Sequence, residues 1–250
     1  MVLQFNDKIP NKKIVGLMNL DGLVYEYIIY LMPLEKTPLK TEVVSFFGNR
    51  IQDGKKCLKL EETDVENYIN DDNPQVSAFI IVKQLVSNET ASGTIQLHNW
   101  CNRTRGQAGT YQIWINDVCR IIEPTKEKYH ISPLKAFFTL IEQFAIQKLG
   151  KNEVYLMVKK EIPIDGNDTT ARLMHIYNIN YGFVMTTCIE PQNISIPNSI
   201  VANYVTMKKD NIVANTSIVD LTSVVISGGG KRRKSRKVIK RRKSRKSRRY

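Results

Sequence analysis

Nowhere in the 250 residues is there an apolar run long enough to cross a bilayer as a helix. The opening Met1-Val-Leu-Gln-Phe-Asn-Asp7 lacks the basic start and apolar run of a secretory signal. An intracellular, reducing location is therefore expected, with the nucleus, a viral factory or a virion as specific settings. Cysteine is scarce: Cys57, Cys101, Cys119 and Cys188 are widely spaced and form no Cys-x-x-Cys, which reads as reduced core thiols rather than disulfides. His98 and Cys101 have metal-like spacing, but with Cys119 as a distant third they make no four-ligand zinc set, and no metal is expected. Walker, Gly-rich kinase, Ser-centred elbow and His-Glu-x-x-His patterns are absent, which removes the enzyme classes built on them.

Acidic residues are missing altogether from residues 231–250, where fourteen Lys or Arg and three Ser occur. The whole chain carries a net +13, less than the +14 of this segment, so residues 1–230 sum to −1. The basic character thus belongs to an appendage on a nearly neutral body. With only Val238, Ile239 and Tyr250 to bury, the segment cannot offset its ordering entropy and reads as a disordered tail. Nucleic acid is its expected partner, through Lys231, Arg232, Arg233, Lys234, Arg236, Lys237, Lys240, Arg241, Arg242, Lys243, Arg245, Lys246, Arg248 and Arg249. Each phosphate neutralised releases about 0.9 counterion from B-DNA, giving salt-steep, sequence-blind binding. Other uses of the charge are an anionic membrane surface held by Coulomb attraction alone, a two-cluster nuclear import signal, or simple solubility. Phosphorylating Ser235, Ser244 or Ser247 would subtract roughly 1.5 to 2 charges apiece.

Ser227-Gly228-Gly229-Gly230 reads as a hinge. The expected organisation is N-terminal strands and extension over 1–74, a main domain over 75–209, a linker over 210–230 and the tail over 231–250. Apolar, β-branched runs at 13–19 and 23–31 flank Asp21-Gly22, a hairpin signal. Residues 33–75 are rich in Pro, Asp, Glu and Asn and show only a short helix over 63–68. Strands follow at 77–86, 93–99 and 110–122, an antiparallel meander.

The period then changes. Ser132-Pro133 is an N-cap and first-turn pair, and Leu134, Phe137, Phe138, Ile141, Phe144, Ala145 and Leu149 recur at three and four until Gly150. A strand at 153–158, a helix at 168–178 with Ala171, Leu173, Met174 and Tyr177 inward, a strand at 183–188 and a closing strand at 202–208 complete the body. The fold class is α/β, with a mixed, mostly antiparallel sheet flanked by helices.

Tyr155-Leu-Met-Val158, Asp168-Thr-Thr-Ala171, Ile176-Tyr177 and Tyr181-Gly182-Phe183, closed by Tyr204-Val-Thr-Met207-Lys208-Lys209, resemble the second half of the GNAT N-acetyltransferase family over roughly residues 75–209. The resemblance implies transfer of acetyl from acetyl-CoA to an amine. It assigns Tyr177 as general acid toward the departing thiolate and Asp168 to the place of a family Asn that contacts the cofactor. The family's Gly-rich acyl-CoA signature should lie between the third meander strand and its helix, where the chain reads Glu123 to Leu134 with no glycine. There Lys126, Lys128 and the amides around Ser132 are the phosphate candidates. Arg103-Thr-Arg-Gly106-Gln-Ala108 matches the signature but precedes a strand instead of a helix. Glu153 is the candidate general base, with Asp117 and Glu123 as the other acids near strand ends, and His130 lies just before the helix.

Three functional classes follow. One is a GNAT-like N-acetyltransferase brought to nucleic acid by its tail. Another is a domain of that fold without catalysis, serving as a scaffold. The third is a nucleic-acid-associated virion or packaging protein, since a Lys/Arg/Ser tail after a Gly run resembles the termini of proteins of large DNA viruses.

Overall fold

The computed structural model describes residues 12–34, 37–48, 51–52, 55–56, 65–66, 69, 76–98, 111–121, 133–160, 169–186, 204–214 and 225–227. Strands β1 (Lys12–Leu20) and β2 (Leu23–Leu31) form the expected hairpin, turning at Asp21 and Gly22 with φ of 52° and 81°. Helix α1 (Thr37–Gly48) follows, then a two-residue pair, β3 (Ile51–Gln52) with β4 (Lys55–Lys56). The meander is β5 (Ala78–Gln84), β6 (Thr90–His98) and β7 (Gln112–Ile121). After it come α2 (Pro133–Leu149), β8 (Val154–Lys159), α3 (Thr169–Tyr181), β9 (Val184–Met185), β10 (Tyr204–Lys209) and β11 (Val225–Ser227).

Among the described residues, nine strands share one sheet in the order β11-β1-β2-β5-β6-β7-β8-β10-β9. All pairings are antiparallel except β7 with β8. The fold is thus α/β with a mixed, mostly antiparallel sheet, as its sequence pattern predicts.

Both faces of the central strands are covered, and this explains why β5 reads as an unbroken apolar run, Ala-Phe-Ile-Ile-Val, rather than an alternation. Ala78, Ile80 and Val82 join the larger cluster, into which α2 sends Ala136, Phe137, Phe138, Leu140, Ile141 and Phe144. Phe79 and Ile81 point the other way and meet Leu39, Val43, Val44 and Phe47 of α1, with Val65 and Ile69. Phe47 and Phe79 stand edge to face at 4.9 Å. Removing a buried ring of this kind costs about 3–5 kcal/mol.

The structure departs from the sequence pattern in several places. Helix α1 was not anticipated, although Leu39, Val43, Val44 and Phe47 follow a helical period behind Thr37-Pro38; the surrounding Pro and acidic residues mask the pattern. Strand β6 begins at Thr90 because Asn88 at φ 58° and the bond from Gln84 N–H to Glu89 O at 2.9 Å close a shorter turn. Ala171 is exposed, and Leu173, Met174, Tyr177 and Tyr181 form the packed side of α3.

Cys119 is disulfide-bonded, contrary to the expected reduced thiols. Sequence spacing says nothing about which cysteines a fold brings together. The other three cysteines lie outside the described residues.

Residues 210–230 were expected to be a linker, yet part of this segment belongs to the body. Ile212 is buried in the larger cluster and its N–H donates to Asn152 O at 3.0 Å, while β11 pairs with β1 at the sheet edge. Ending the chain at Gly230 is expected to leave the urea midpoint unchanged. Ending it at Lys209 is expected to lower stability by about 2–5 kcal/mol through the loss of Ile212 alone, with β11 adding to the deficit, as read by fluorescence-detected denaturation.

Candidate functional site

The parallel junction inside the sheet, with six strands on one side of it and three on the other, is short. Strands β7 and β8 are in register only at Trp114 with Tyr155 and Ile115 with Leu156. Beyond them each strand follows its other neighbour. β7 remains on β6 through Ser92 with Cys119 and Thr90 with Ile121, and β8 remains on β10 through Val158 with Val205 and Lys159 with Tyr204.

The cause of the parting lies in β7. Between Ser92 and Thr94 the register slips, because β6 advances two residues while β7 advances three, from Asn116 to Cys119. This is a β-bulge, and Asp117 within it has φ 51°, a conformation that Asp and Asn tolerate better than most residues. Opposite stands Gly93, where a Cβ would lie 2.8 Å from the Phe137 ring of α2 and 3.1 Å from Asn116 O. Only glycine lets α2 sit directly on the bulge.

Where the strands part, a cavity of about 140 Å³ opens. Ile115, Asp117 and Val118 line it from β7, residues 156–159 from β8, and Leu173 and Tyr177 from α3. Neither Pro133 nor Leu134 is among its walls; Pro133 is buried and Leu134 packs against the larger cluster.

Two titratable groups in this cavity have shifted chemistry. The half-buried Asp117 carboxylate accepts a hydrogen bond from Thr94 Oγ1 at 3.1 Å. Burial raises its pKa, opposed by that bond. Tyr177 is pushed up to about 12, by burial first and by neighbouring Tyr181 second. Its ring stands edge-on to Phe138, 5.9 Å between centroids.

The end of α3 fixes Tyr177 further. Gly182, at φ 75°, donates its N–H to Asn178 O at 3.0 Å, the αL form of helix closure, and Phe183 N–H donates to Tyr177 O at 3.1 Å. Asn178 Nδ2 donates to Phe183 O at 2.8 Å, and Phe183 is fully buried against Phe138 at 5.5 Å.

Of the residues singled out from sequence, Tyr177 and Asp117 meet in this cavity and Glu153 does not. Glu153 lies before β8, at the strand end away from the cavity, with Lys208 Nζ at 2.9 Å and the Tyr155 hydroxyl donating to it at 3.4 Å. Its carboxylate is thus paired with Lys208 and Tyr155, outside the cavity that Asp117 lines. Lys126, Lys128, Ser132, Asp168, Glu123, His130, residues 103–108 and the tail cations 231–249 lie outside the described residues.

Among the described residues no three His, Cys, Asp or Glu groups gather as metal ligands. His98 and Cys119 sit opposite Gln112 and Ser92, toward opposite ends of β6, about 20 Å apart at strand rise. Burial also holds His98 down at about 4.

The bulge leaves only a faint trace in the sequence. Its signals were Gly93 inside a strand and consecutive polar Asn116-Asp117 interrupting an apolar one. No family model, curated protein or solved structure matches the chain.

Because the native Tyr177 phenol ionises near 12 and an unfolded one near 10, the unfolded state releases its proton first. This contribution to stability is complete below pH 10 and is lost as pH rises from 10 to 12. Comparing the stability of the parent chain and Tyr177→Phe across that window is expected to show a decline of up to ~3 kcal/mol specific to the parent; parallel curves would contradict the buried, protonated phenol.

Proposed function

We propose that the chain is a GNAT-like acyltransferase that moves an acetyl group from acetyl-CoA to an amine, with its basic tail holding it to nucleic acid. The observation that carries this reading is the cavity where β7 and β8 part, which, among the described residues, has one carboxyl and one phenol on its walls and no side chain from α2 closing it.

The cavity suits an extended, amide-bearing thiol arm. Ile115, Val118, Leu156, Val158 and Leu173 give it apolar walls, and among the described residues the ladder between β7 and β8 ends at Ile115 and Leu156, where a strand-like ligand could continue it. Thr170 Oγ1 donates to Lys159 O at 3.3 Å and ties α3 to the rim. The thioester, when bound, supplies an activated acyl carbon.

Asp117 acts as the base. Its raised pKa brings the carboxylate closer to neutrality, where proton acceptance from an ammonium is easier. Tyr177 keeps its proton and donates a hydrogen bond to the departing sulfur. With the phenol at about 12 and an ordinary thiol near 8.5, outright transfer from phenol to thiolate runs uphill. The role of Tyr177 is therefore stabilisation by a hydrogen bond rather than complete proton donation.

Acetyl-CoA titrated into the full chain by calorimetry is expected to bind in the micromolar range. Asp117→Asn keeps a residue suited to φ 51°, so it should retain that binding while turnover falls about 10²–10⁴-fold. Absence of binding at millimolar ligand overturns the reading and leaves a scaffold.

Removing residues 231–250 is expected to abolish retention on nucleic acid at physiological salt without changing acetyl-CoA affinity. A truncated chain that still shifts DNA would overturn the partition between tail and body.

A further inference from the structure

The tail has a second regularity besides charge. Lysine occurs at every third position, Lys231, Lys234, Lys237, Lys240, Lys243 and Lys246, and the seven residues Lys-Arg-Arg-Lys-Ser-Arg-Lys at 231–237 recur at 240–246. Arginine carries the same charge but remains protonated, so it offers no nucleophile. A tail selected for charge alone has no need for lysine at a fixed interval. Six evenly spaced primary amines, on the same chain as a cavity read as an acyl-transfer site, point to a specific substrate.

The sheet fixes where that tail begins. Ser227 of β11 is opposite Lys12, Lys12 opposite Leu31, Leu31 opposite Ala78, Ala78 opposite Ile95, Ile95 opposite Ile115, and Ile115 opposite Leu156. The root of the tail thus lies in the same cross-strand row as the cavity floor. Five strand spacings of about 4.8 Å put Ser227 ~24 Å from Ile115. That straight line runs through the sheet, so a path over the surface is longer by about one helix diameter, ~10 Å.

We propose that the chain acylates its own tail, at the lysines beyond the reach limit set by this geometry. The inference rests on the acyltransfer reading of the cavity. Whatever conformation the tail adopts, it spans at most about 3.6 Å per residue. Lys231 follows Ser227 by four residues and Lys234 by seven, giving ceilings of about 14 and 25 Å, short of the path. Lys237, ten residues on, stands at the limit with a ceiling of about 36 Å, while Lys240 and Lys246, thirteen and nineteen residues on, reach about 47 and 68 Å.

In the step itself, the lysine ammonium gives one proton to Asp117, and the freed ε-amine nitrogen attacks the thioester carbonyl carbon. A C–N bond forms as the C–S bond breaks. The sulfur leaves as thiolate under the Tyr177 hydrogen bond, and the second nitrogen proton passes through solvent to give free thiol and a neutral amide. Each event removes one of the fourteen tail charges, so the salt slope of nucleic-acid binding falls by about 0.9 per lysine modified on B-DNA. Acylation then becomes a release mechanism graded by lysine count.

The test incubates the full chain with acetyl-CoA, follows thiol release, and maps acetyl groups by mass spectrometry, taking the heat-denatured chain as the uncatalysed background. A free peptide of sequence Lys-Arg-Arg-Lys-Ser-Arg-Lys serves as the acceptor in trans. Expected is at least ten-fold label over background at Lys240, Lys243 and Lys246, background label at Lys231 and Lys234, and a fractional rate independent of protein concentration. Label uniform over all six lysines, a fractional rate that rises with concentration, or thiol release with the peptide while the tail stays unlabelled would each overturn self-acylation and leave the acyltransfer reading intact. Thiol release with neither acceptor, despite acetyl-CoA binding, overturns self-acylation too, and without binding it is the cavity reading that has failed.

Discussion

The parting of β7 and β8 depends on one packing constraint, the fit of Phe137 over Gly93 and the bulge at Asn116 and Asp117. A helix laid on a continuous sheet normally meets a floor of β-carbons. Here a missing Cβ at Gly93 lets the ring of Phe137 descend, and the extra residue in β7 changes the direction of the strand. Since β8 remains bound to β10, it cannot follow, and the cavity is the space between two strands with incompatible commitments. Asp117 is carried into that space by the same bulge that creates it.

The surroundings hold this geometry from three sides. Phe138 meets Tyr177, Tyr181 and Phe183 within 6 Å, centroid to centroid, so α2, α3 and the approach to β9 share one aromatic joint. Glu142 of α2 and Lys209 of β10 are 2.6 Å apart, joining the same helix to the strand beyond the cavity. On the other side, Lys135 reaches Asp21 at 2.7 Å, setting the first turn of α2 against the β1–β2 hairpin tip. That pair is exposed at both ends and orients more than it stabilises.

Much of the fold was legible because its signals are local. The two-residue turn at Asp21-Gly22, the stop at Gly150 and the three-and-four spacing from Leu134 to Leu149 require no partner to be read. Helix α1 was illegible for the opposite reason: it is amphipathic only with respect to the face of Phe79 and Ile81, and its sequence neighbours are turn formers. In the cavity, Tyr177 is singled out in the sequence by its likeness to a family pattern, while Glu153 and Asp117 are indistinguishable there because both are acids near strand ends. Only the strand direction distinguishes the end that opens from the end that Lys208 closes.

By itself the sequence determined the periodicities of most elements, the strand-helix alternation and the separation of a neutral body from a cationic tail, because turn preference, hydrophobic spacing and charge are properties of neighbouring residues. The tertiary structure decided the rest. It placed the bulge at Asp117, drew Cys119 into a disulfide, returned Ile212 to the core, and set β11 in the row that ends at Leu156. Each of these depends on contacts between residues far apart in the chain, whose free energy exists only once the sheet has assembled.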